Sequence, residues 1–180
     1  MNNKSNQSGF TLVELIVTVS ILGILTAAAM PSLKTIFLKN TTIAYSNDFK
    51  MALYLAQNEA IKRNIQVTIK PTTASSTTWQ DGWDIFEDTD NDGTQDTGEE
   101  LIYSYTPSAT NFTLKSETSS FDTSLAFNPM GEPIVATSGA SSSGEFTLCG
   151  PDNDGLLARI IKVSFSGNII INEGVSDTCS

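Results

Sequence analysis

Residues 88 to 99 carry acidic side chains at the spacing of a calcium-binding loop. In such a loop the early acidic side chains converge on one cation, a glycine makes a sharp turn, and a final glutamate contributes two oxygens. The predicted ligands are the backbone carbonyl of Thr94 and five carboxylates, one of them acting through water: Asp88, Asp90, Asp92, Asp96 and Glu99. The sequence therefore predicts a possible Ca²⁺ site, and the alternative is a plain acidic turn exposed to solvent.

The segments on either side of this loop have the composition of β-strands. From residue 65 onward, β-branched and aromatic residues alternate with polar ones, and Gly, Pro and Asn mark the turns between them. The loop is therefore expected to join two strands of a β-hairpin rather than two helices. The predicted strands are Gln66–Lys70, Trp83–Glu87, Leu101–Tyr105, Phe112–Lys115, Leu125–Asn128, Ile134–Thr137, Glu145–Cys149, Ala158–Phe165 and Ile169–Asn172.

The residue types that support catalysis are scarce in this chain. It contains no histidine, which removes the commonest general base and the commonest transition-metal ligand. Neither a GxSxG motif nor a phosphate-binding Walker loop is present. We therefore expect no catalytic residues, no required cofactor and no enzymatic activity.

Two cysteines, Cys149 and Cys179, are the only ones in the chain. Their separation fits neither a zinc site nor a redox CxxC motif. In an exported protein they would form one disulfide that ties the C-terminus to the body, whereas in a cytosolic protein they would be two buried thiols.

The N-terminal region is polar for nine residues and then becomes strongly apolar. Leu15–Leu33 has no formally charged residue, and as a helix this stretch would be about 28 Å long, close to the thickness of a bilayer core. A secretory signal cleaved after Ala29 and a simple signal anchor are two interpretations of it. Glu14 fits neither, because a carboxylate at the edge of an apolar helix needs a partner. Cleavage just before Phe10 would create an amino group able to serve as that partner on a neighbouring subunit.

The segment Gly9-Phe10-Thr11-Leu12-Val13-Glu14 resembles the cleavage motif of type IV prepilins. The resemblance implies cleavage between Gly9 and Phe10 by a prepilin peptidase, followed by N-methylation of Phe10. It also implies that Glu14 acts in assembly with other pilin or pseudopilin subunits. The implied fold is the α+β type IV pilin fold, in which a long N-terminal α-helix packs on an antiparallel β-sheet domain.

Three later segments indicate which group of type IV pilins the chain resembles. The stretches Ala56–Asn64, Trp79–Trp83 and Phe127–Gly131 are similar to segments of the type II secretion H/FimT-like (GspH/FimT) group of pilins. This similarity implies a minor pilin or pseudopilin, a structural subunit of a type IV pilus or of a type II secretion pseudopilus. The sequence does not choose between these two systems.

The expected organisation has three parts. Residues 1–9 form a leader peptide, residues 10–38 form the transmembrane and filament-core half of a helix, and residues 39–180 form a periplasmic head domain. Apolar residues continue at spacings of three and four beyond the first half, so one helix is predicted over Thr11–Arg63. The resemblance places the chain in the bacterial inner membrane, with a single crossing, before it enters the filament.

The charge distribution indicates which kinds of partner the body of the protein can bind. Residues 1–64 hold six Lys/Arg and three Asp/Glu, whereas residues 65–180 hold four Lys/Arg and seventeen Asp/Glu. An acidic body repels phosphate, which argues against nucleic-acid binding. Some FimT-like pilins take part in DNA uptake, but the comparable turn here, Gly167-Asn168-Ile169-Ile170, lacks arginine. A DNA-uptake or adhesive minor pilin that binds a ligand through its head domain is the alternative function.

Overall fold

A computed structural model shows a long helix followed by two antiparallel β-sheets. It describes residues 9–73, 78–107, 111–151, 158–174 and 179, with the backbone alone for residues 28–32.

Helix α1 spans Leu12–Arg63, which agrees with the predicted helix to within one residue. Its second half forms because apolar residues recur every three or four positions and give one buried stripe. The helix ends where Asn64 adopts a left-handed conformation with φ of 57°. Asparagine tolerates this conformation better than most residues and is common just after a helix.

Nine strands follow the helix, all antiparallel to their neighbours. They are β1 Val67–Pro71, β2 Trp83–Glu87, β3 Leu101–Tyr105, β4 Thr113–Ser116, β5 Leu125–Phe127, β6 Pro133–Ile134, β7 Gly144–Cys149, β8 Arg159–Val163 and β9 Ile169–Glu173. The first sheet has the order β3-β2-β1-β5-β6, and the second has the order β4-β7-β8-β9. A short 3₁₀ helix, Ser119–Phe121, lies between β4 and β5.

Two predicted strands run two or more residues past their observed ends, because local hydrogen bonds turn the chain earlier than the apolar pattern indicates. The predicted strand Ile134–Thr137 stops at Ile134, since the carbonyl of Val135 accepts hydrogen bonds from the N–H groups of Ser138 and Gly139. The strand predicted to end at Phe165 stops at Val163. Turn chemistry therefore overrides side-chain periodicity at both places.

One continuous core joins the helix to both sheets. Its helical contribution is the stripe Tyr45, Phe49, Ala52, Leu53, Ala56 and Ala60, and all of these side chains are buried. Phe49 lies at the centre, with ring centroids 4.9 Å from Trp83 of the first sheet and 4.9 Å from Phe146 of the second. This is the α+β arrangement that the sequence predicts.

The chain divides into two compact units, residues 1–37 and residues 38–180. Every buried hydrophobic side chain that the structure describes belongs to the second unit, which therefore holds its own core.

Within the described part of the chain, no helix combines the length and the apolar character needed to cross a membrane.

Candidate functional site

The predicted processing site lies at the start of helix α1. Gly9 and Phe10 are exposed and precede the helix, whereas residues 1–8 of the predicted leader lie outside the described residues. Thr11 caps the helix, because its Oγ1 accepts a hydrogen bond of 3.2 Å from the N–H of Glu14. Glu14 thus occupies the first helical turn, where the helix dipole favours a carboxylate. The spacing Thr-x-x-Glu at residues 11–14 is the local signal for this capping role of Thr11.

The first unit presents large apolar side chains to its surroundings. From Phe10 to Leu25 each of them is about half exposed or more, with exposed fractions from 49% at Val17 to 84% at Phe10. The hydroxyls of Thr18 and Ser20 donate hydrogen bonds to carbonyls of the preceding turn. Because these polar groups are satisfied within the helix, the segment suits an apolar environment.

Asp88 anchors the acidic loop from inside the protein. It is fully buried, and its Oδ2 accepts hydrogen bonds from the side chains of Gln66 at 2.8 Å and Thr68 at 2.6 Å. The backbone N–H groups of Asp92 and Gly93, each at 3.1 Å, donate to its two oxygens. Three of the four bonds fall on Oδ2, so Oδ1 keeps room for one more partner. Local sequence patterns do not predict that Gln66 and Thr68 donate hydrogen bonds to Asp88, because these two residues lie 22 and 20 positions earlier in the chain.

The loop brings its five predicted carboxylates into two groups that share Asp90. One group is Asp88, Asp90 and Glu99, the other is Asp90, Asp92 and Asp96, and within each group one oxygen per residue lies within 4.8 Å of the others. Either group can hold a metal ion, because carboxylate oxygens are the ligands that hard cations prefer.

Asp90, the residue shared by the two groups, has a carboxyl group whose pKa is raised. Loss of solvent around Asp90 raises the pKa of its carboxyl group, and the neighbouring charge of Asp92 raises it further. Burial also acts to raise the pKa of Glu99. The backbone N–H groups of Asp96 and Thr89 outweigh that effect, so the pKa of Glu99 is lowered overall. A cation between these carboxylates would relieve the repulsion at Asp90.

The acidic loop packs on the first sheet rather than standing free as a solvated tip. At Gly93, where φ is 77°, an added Cβ would lie 3.0 Å from the Cβ of Ala136 and 3.4 Å from the Oγ of Ser124. The position therefore requires glycine both for its backbone conformation and for this close approach.

Arg63 ties together the two residues that flank the loop. Its guanidinium donates to Glu87, just before the loop, and to Glu100, just after it at 2.8 Å, as well as to Glu59 at 2.6 Å. Hydrogen bonds from Arg63 and then Lys62 lower the pKa of Glu59, and a hydrogen bond from Arg63 lowers that of Glu100. The end of helix α1 thereby fixes both ends of the loop.

Gln57 links three segments that are distant in the chain. Its Nε2 donates to the carbonyl of Gly131 at 2.7 Å and to that of Gly167 at 3.0 Å. Gly167 has φ of 76°, and an added Cβ there would lie 2.2 Å from Gln57 Nε2. The amide thus holds the β5–β6 and β8–β9 turns against the helix. Local sequence patterns do not indicate this role of Gln57, because its partners Gly131 and Gly167 lie 74 and 110 residues away.

Changing Gln57→Glu is expected to destabilise residues 39–180 by about 1–3 kcal/mol, because a carboxylate cannot donate to the two carbonyl oxygens that it would face. Urea unfolding at pH 7 measures the effect. The neighbouring exposed change Asn58→Asp adds the same charge and is the matched control, with an expected effect below about 0.5 kcal/mol. Equal stability of the two variants would contradict the role of this amide.

Cys149 and Cys179 form a disulfide, as predicted for an exported chain, with an S–S distance of 2.04 Å. Both residues are buried together with Ala158 in a small apolar cluster. The bond closes a loop between residues 30 positions apart and holds the C-terminus on the second sheet.

Two known sequence families match this chain. The family described as type II transport protein GspH matches residues 46–167, which include most of the core, the Gln57 linkage and the acidic loop. The chain belongs to this family. The prokaryotic N-terminal methylation motif matches residues 4–30 of this GspH-family chain, including Gly9, Phe10 and Glu14.

Solved structures show the same fold at low sequence identity. The type IV minor pilin FimU of Pseudomonas aeruginosa strain PAO1 aligns with a TM-score of 0.59 and 16% identity, over 82% of this chain and 98% of that one. The minor pseudopilin EpsH of the type 2 secretion system of Vibrio cholerae aligns with a TM-score of 0.51 and 12% identity, over 73% of this chain and 96% of that one. The predicted pilin fold is therefore confirmed for the GspH-family chain.

None of the curated proteins compared with the chain matches it in sequence.

Membership of the GspH family implies an association with the cell envelope and assembly with other pilin-type subunits, and the methylation motif implies N-terminal processing. The similar structures are a minor pilin and a minor pseudopilin.

Proposed function

We propose that the chain is a minor pilin or pseudopilin whose role is structural rather than catalytic. A prepilin peptidase removes residues 1–9, Phe10 is N-methylated, and residues 10–38 anchor the subunit in the bacterial inner membrane before they enter the filament core. Residues 39–180 form the head domain in the periplasm. The observation that carries this proposal is the methylation motif at residues 4–30, within which the large apolar side chains from Phe10 to Leu25 are exposed.

The exposed apolar surface of the first unit supports burial in an assembly. Contiguous apolar surface of this kind marks contact with lipid or with other protein chains. The disulfide supports a periplasmic head, because such bonds persist in oxidising compartments. Both observations fit a subunit that passes from membrane to filament.

Glu14 and the new amino group of Phe10 give the assembly its register. Exposed Glu14 lies in the first turn of an apolar helix, and the amino terminus created by cleavage lies four residues before it. In filament packing, the carboxylate of one subunit would pair with the ammonium group of its neighbour. Leaving either charge unpaired in apolar surroundings is costly.

Replacing Glu14 by alanine is therefore expected to leave cleavage intact but to lower incorporation into filaments at least about tenfold, equivalent to roughly 1.4 kcal/mol. Full-length variants would be expressed in cells that assemble pili or pseudopili, and the subunit would be quantified in sheared filaments and in membranes. Thr18→Ala, a neutral change on the same helix, is the control. Incorporation of the Glu14→Ala chain at the level of the control would contradict the pairing.

We further propose that the acidic loop binds Ca²⁺. Support comes from the two carboxylate groups around Asp90, from the loop's fit to the twelve-residue calcium pattern, and from the raised pKa of Asp90. Because buried Asp88 already accepts four hydrogen bonds, the exposed carboxylates Asp90, Asp92 and Asp96 would supply most of the coordination.

Millimolar Ca²⁺ is expected to stabilise residues 39–180 by about 1–2 kcal/mol if the affinity resembles that of extracellular calcium modules. Thermal melting with calcium, with magnesium and with chelator measures the effect. Asp92→Asn should remove most of the calcium shift, whereas Asp81→Asn, an exposed change outside the loop, should retain it. An identical midpoint with calcium and with chelator would rule out the site.

A further inference from the structure

The outer face of the second sheet carries an open groove of about 630 Å³, a volume typical of ligand sites. Side chains alternate along its strands, so that Phe146 and Ile161 enter the core while their neighbours point the other way. The outward side chains Glu145, Lys162 and Ile170 stand side by side in register on β7, β8 and β9. We call this surface the sheet groove and define it by Glu117, Glu145, Lys162, Phe165, Asn168 and Ile170.

One end of the sheet groove is apolar. Phe165 is 60% exposed and Ile170 is 43% exposed. Phe165 belongs to a fixed turn, in which the N–H of Ser164 donates to the carbonyl of Asn168 at 3.0 Å and the N–H of Asn168 donates to Ser164 Oγ at 3.1 Å. An exposed aromatic ring in such a turn offers a ready-made surface to the apolar face of a ligand.

The other end carries two carboxylates on backbone that the strands hold in place. The N–H of Glu117 donates to the carbonyl of Glu145 at 2.9 Å, and the N–H of Glu145 donates to Thr118 Oγ1 at 3.2 Å. The segments approach closely at Gly144, where an added Cβ would lie 2.6 Å from Thr118 Oγ1. The sheet groove therefore has hydrogen-bonding groups at one end and apolar groups at the other.

The charges at the sheet groove balance in pairs. Lys162 Nζ lies 2.6 Å from Glu145 Oε1, and Lys115 Nζ, beside the groove, lies 3.6 Å from Glu117 Oε1. Residues 65–180 hold four Lys/Arg and seventeen Asp/Glu, so two of the four basic side chains of this acidic region lie here. Among the described residues, nothing donates a hydrogen bond to Oε2 of either glutamate, so both oxygens can accept one from a ligand. A locally neutral site of this kind attracts neither anions nor cations.

We propose that the sheet groove binds a neutral oligosaccharide. A pyranose ring has an apolar face of C–H groups, which Phe165 and Ile170 would cover. Its hydroxyl groups would donate to the carboxylates of Glu117 and Glu145, and the exposed amide of Asn168 can both donate and accept. An anionic ligand would meet an acidic surface without a net positive charge to hold it. A cationic ligand would have to displace the lysines that already pair with the carboxylates.

Titration of residues 39–180 with neutral tetrasaccharides, followed by NMR spectroscopy, tests the proposal. The probes are cellotetraose, maltotetraose, mannotetraose and chitotetraose. At least one is expected to bind with a Kd below about 1 mM and to shift the backbone amides of Lys162, Asn168 and Ile170 more than others. No binding by any probe at about ten times that concentration, or shifts confined to other surfaces, would overturn the proposal.

Variants of the sheet groove separate binding there from unspecific contact. Phe165→Ala is expected to weaken binding at least about tenfold, and Glu117→Ala at least about fivefold, because few side chains carry most of the affinity of a site. Met130→Ala changes a side chain that is 75% exposed outside the groove and is the matched control, with an expected effect within about twofold. Thermal melting confirms that each variant is folded. Native affinity in Phe165→Ala or in Glu117→Ala would overturn the proposal.

Charged oligosaccharides test whether the groove selects a neutral ligand. A tetramer of glucosamine, used where its amines are protonated, and a tetramer of galacturonate are each expected to bind at least about fivefold more weakly than the best neutral probe. Tighter binding of the glucosamine tetramer would identify a site for cationic ligands, and tighter binding of the galacturonate tetramer a site for anions. Either result would overturn the proposal.

This binding is independent of the proposed filament role. All six residues that define the sheet groove belong to the second unit, and the titrations use residues 39–180 without the segment that is processed. Failure of the titrations would therefore leave the proposed function standing. Failure of cleavage before Phe10 would contradict the proposed function and leave the oligosaccharide site standing.

Discussion

Replacement of Phe49 by alanine is expected to lower the free energy of unfolding of the head domain by about 3–5 kcal/mol. The Phe49 side chain is fully buried at the point where helix α1 meets both sheets. Its ring lies 5.7 Å from Trp79, 4.9 Å from Trp83 and 4.9 Å from Phe146, in edge-to-face arrangements. Removal of the ring leaves a cavity that three rigid aromatic neighbours cannot readily fill, so the expected loss is near the upper end of core substitutions.

Urea unfolding of residues 39–180 measures this loss, since that fragment contains the whole described core. Met51→Ala is the matched control on the same helix, because Met51 is 70% exposed and its truncation should cost less than about 0.5 kcal/mol. A loss below about 1 kcal/mol for Phe49→Ala would show that the helix does not organise the core in the way described.

Removal of the Cys149–Cys179 disulfide is expected to cost roughly 3.5 kcal/mol in the chain-entropy model. The bond links residues 30 positions apart, so it restricts a long loop in the unfolded chain. Alanine is the suitable replacement at both positions, because serine would bury hydroxyl groups in the apolar cluster around Ala158.

The double variant Cys149→Ala/Cys179→Ala would be compared with the oxidised protein by urea unfolding. Reductant should destabilise the native protein by a similar amount and leave the double variant unchanged, which excludes other effects of the reductant. A double variant within about 1 kcal/mol of the oxidised protein would contradict the stabilising role of the bond.

Sequence patterns predict the elements of this fold well, because they depend on local periodicity. The stripe from Tyr45 to Ala60 identifies the buried face of the helix, and Asn64 marks its end. The strands that flank the acidic loop, β2 and β3, have the predicted bounds. Where a turn competes with an apolar run, as at Val135, local pattern fails because a backbone hydrogen bond decides the strand end.

Contacts between distant segments could not be predicted from a single sequence. The stretch Ala56–Asn64 resembles a segment of one group of pilins, but the contacts that its side chains make are visible only in the fold. There Gln57 joins the turns at Gly131 and Gly167, and Arg63 bridges Glu87 to Glu100. Each of these pairs depends on how the sheets pack on the helix, which periodicity does not encode.

The spacing of the acidic residues predicts the calcium-type loop but not its setting in the fold. Its carboxylates do come together, yet Asp88 is buried and bonded to Gln66 and Thr68 rather than exposed like Asp90, Asp92 and Asp96. An acidic pattern indicates that charges will be close. It does not show which of them the protein itself will neutralise through hydrogen bonds.

Cleavage before Phe10 is expected to create a new N-terminus whose amino group the filament uses. The N-terminal residue and its mass would be determined on protein isolated from membranes and filaments. The mature chain is expected to begin with N-methylated Phe10. A chain that begins at Met1, or one that begins after Ala29, would contradict it.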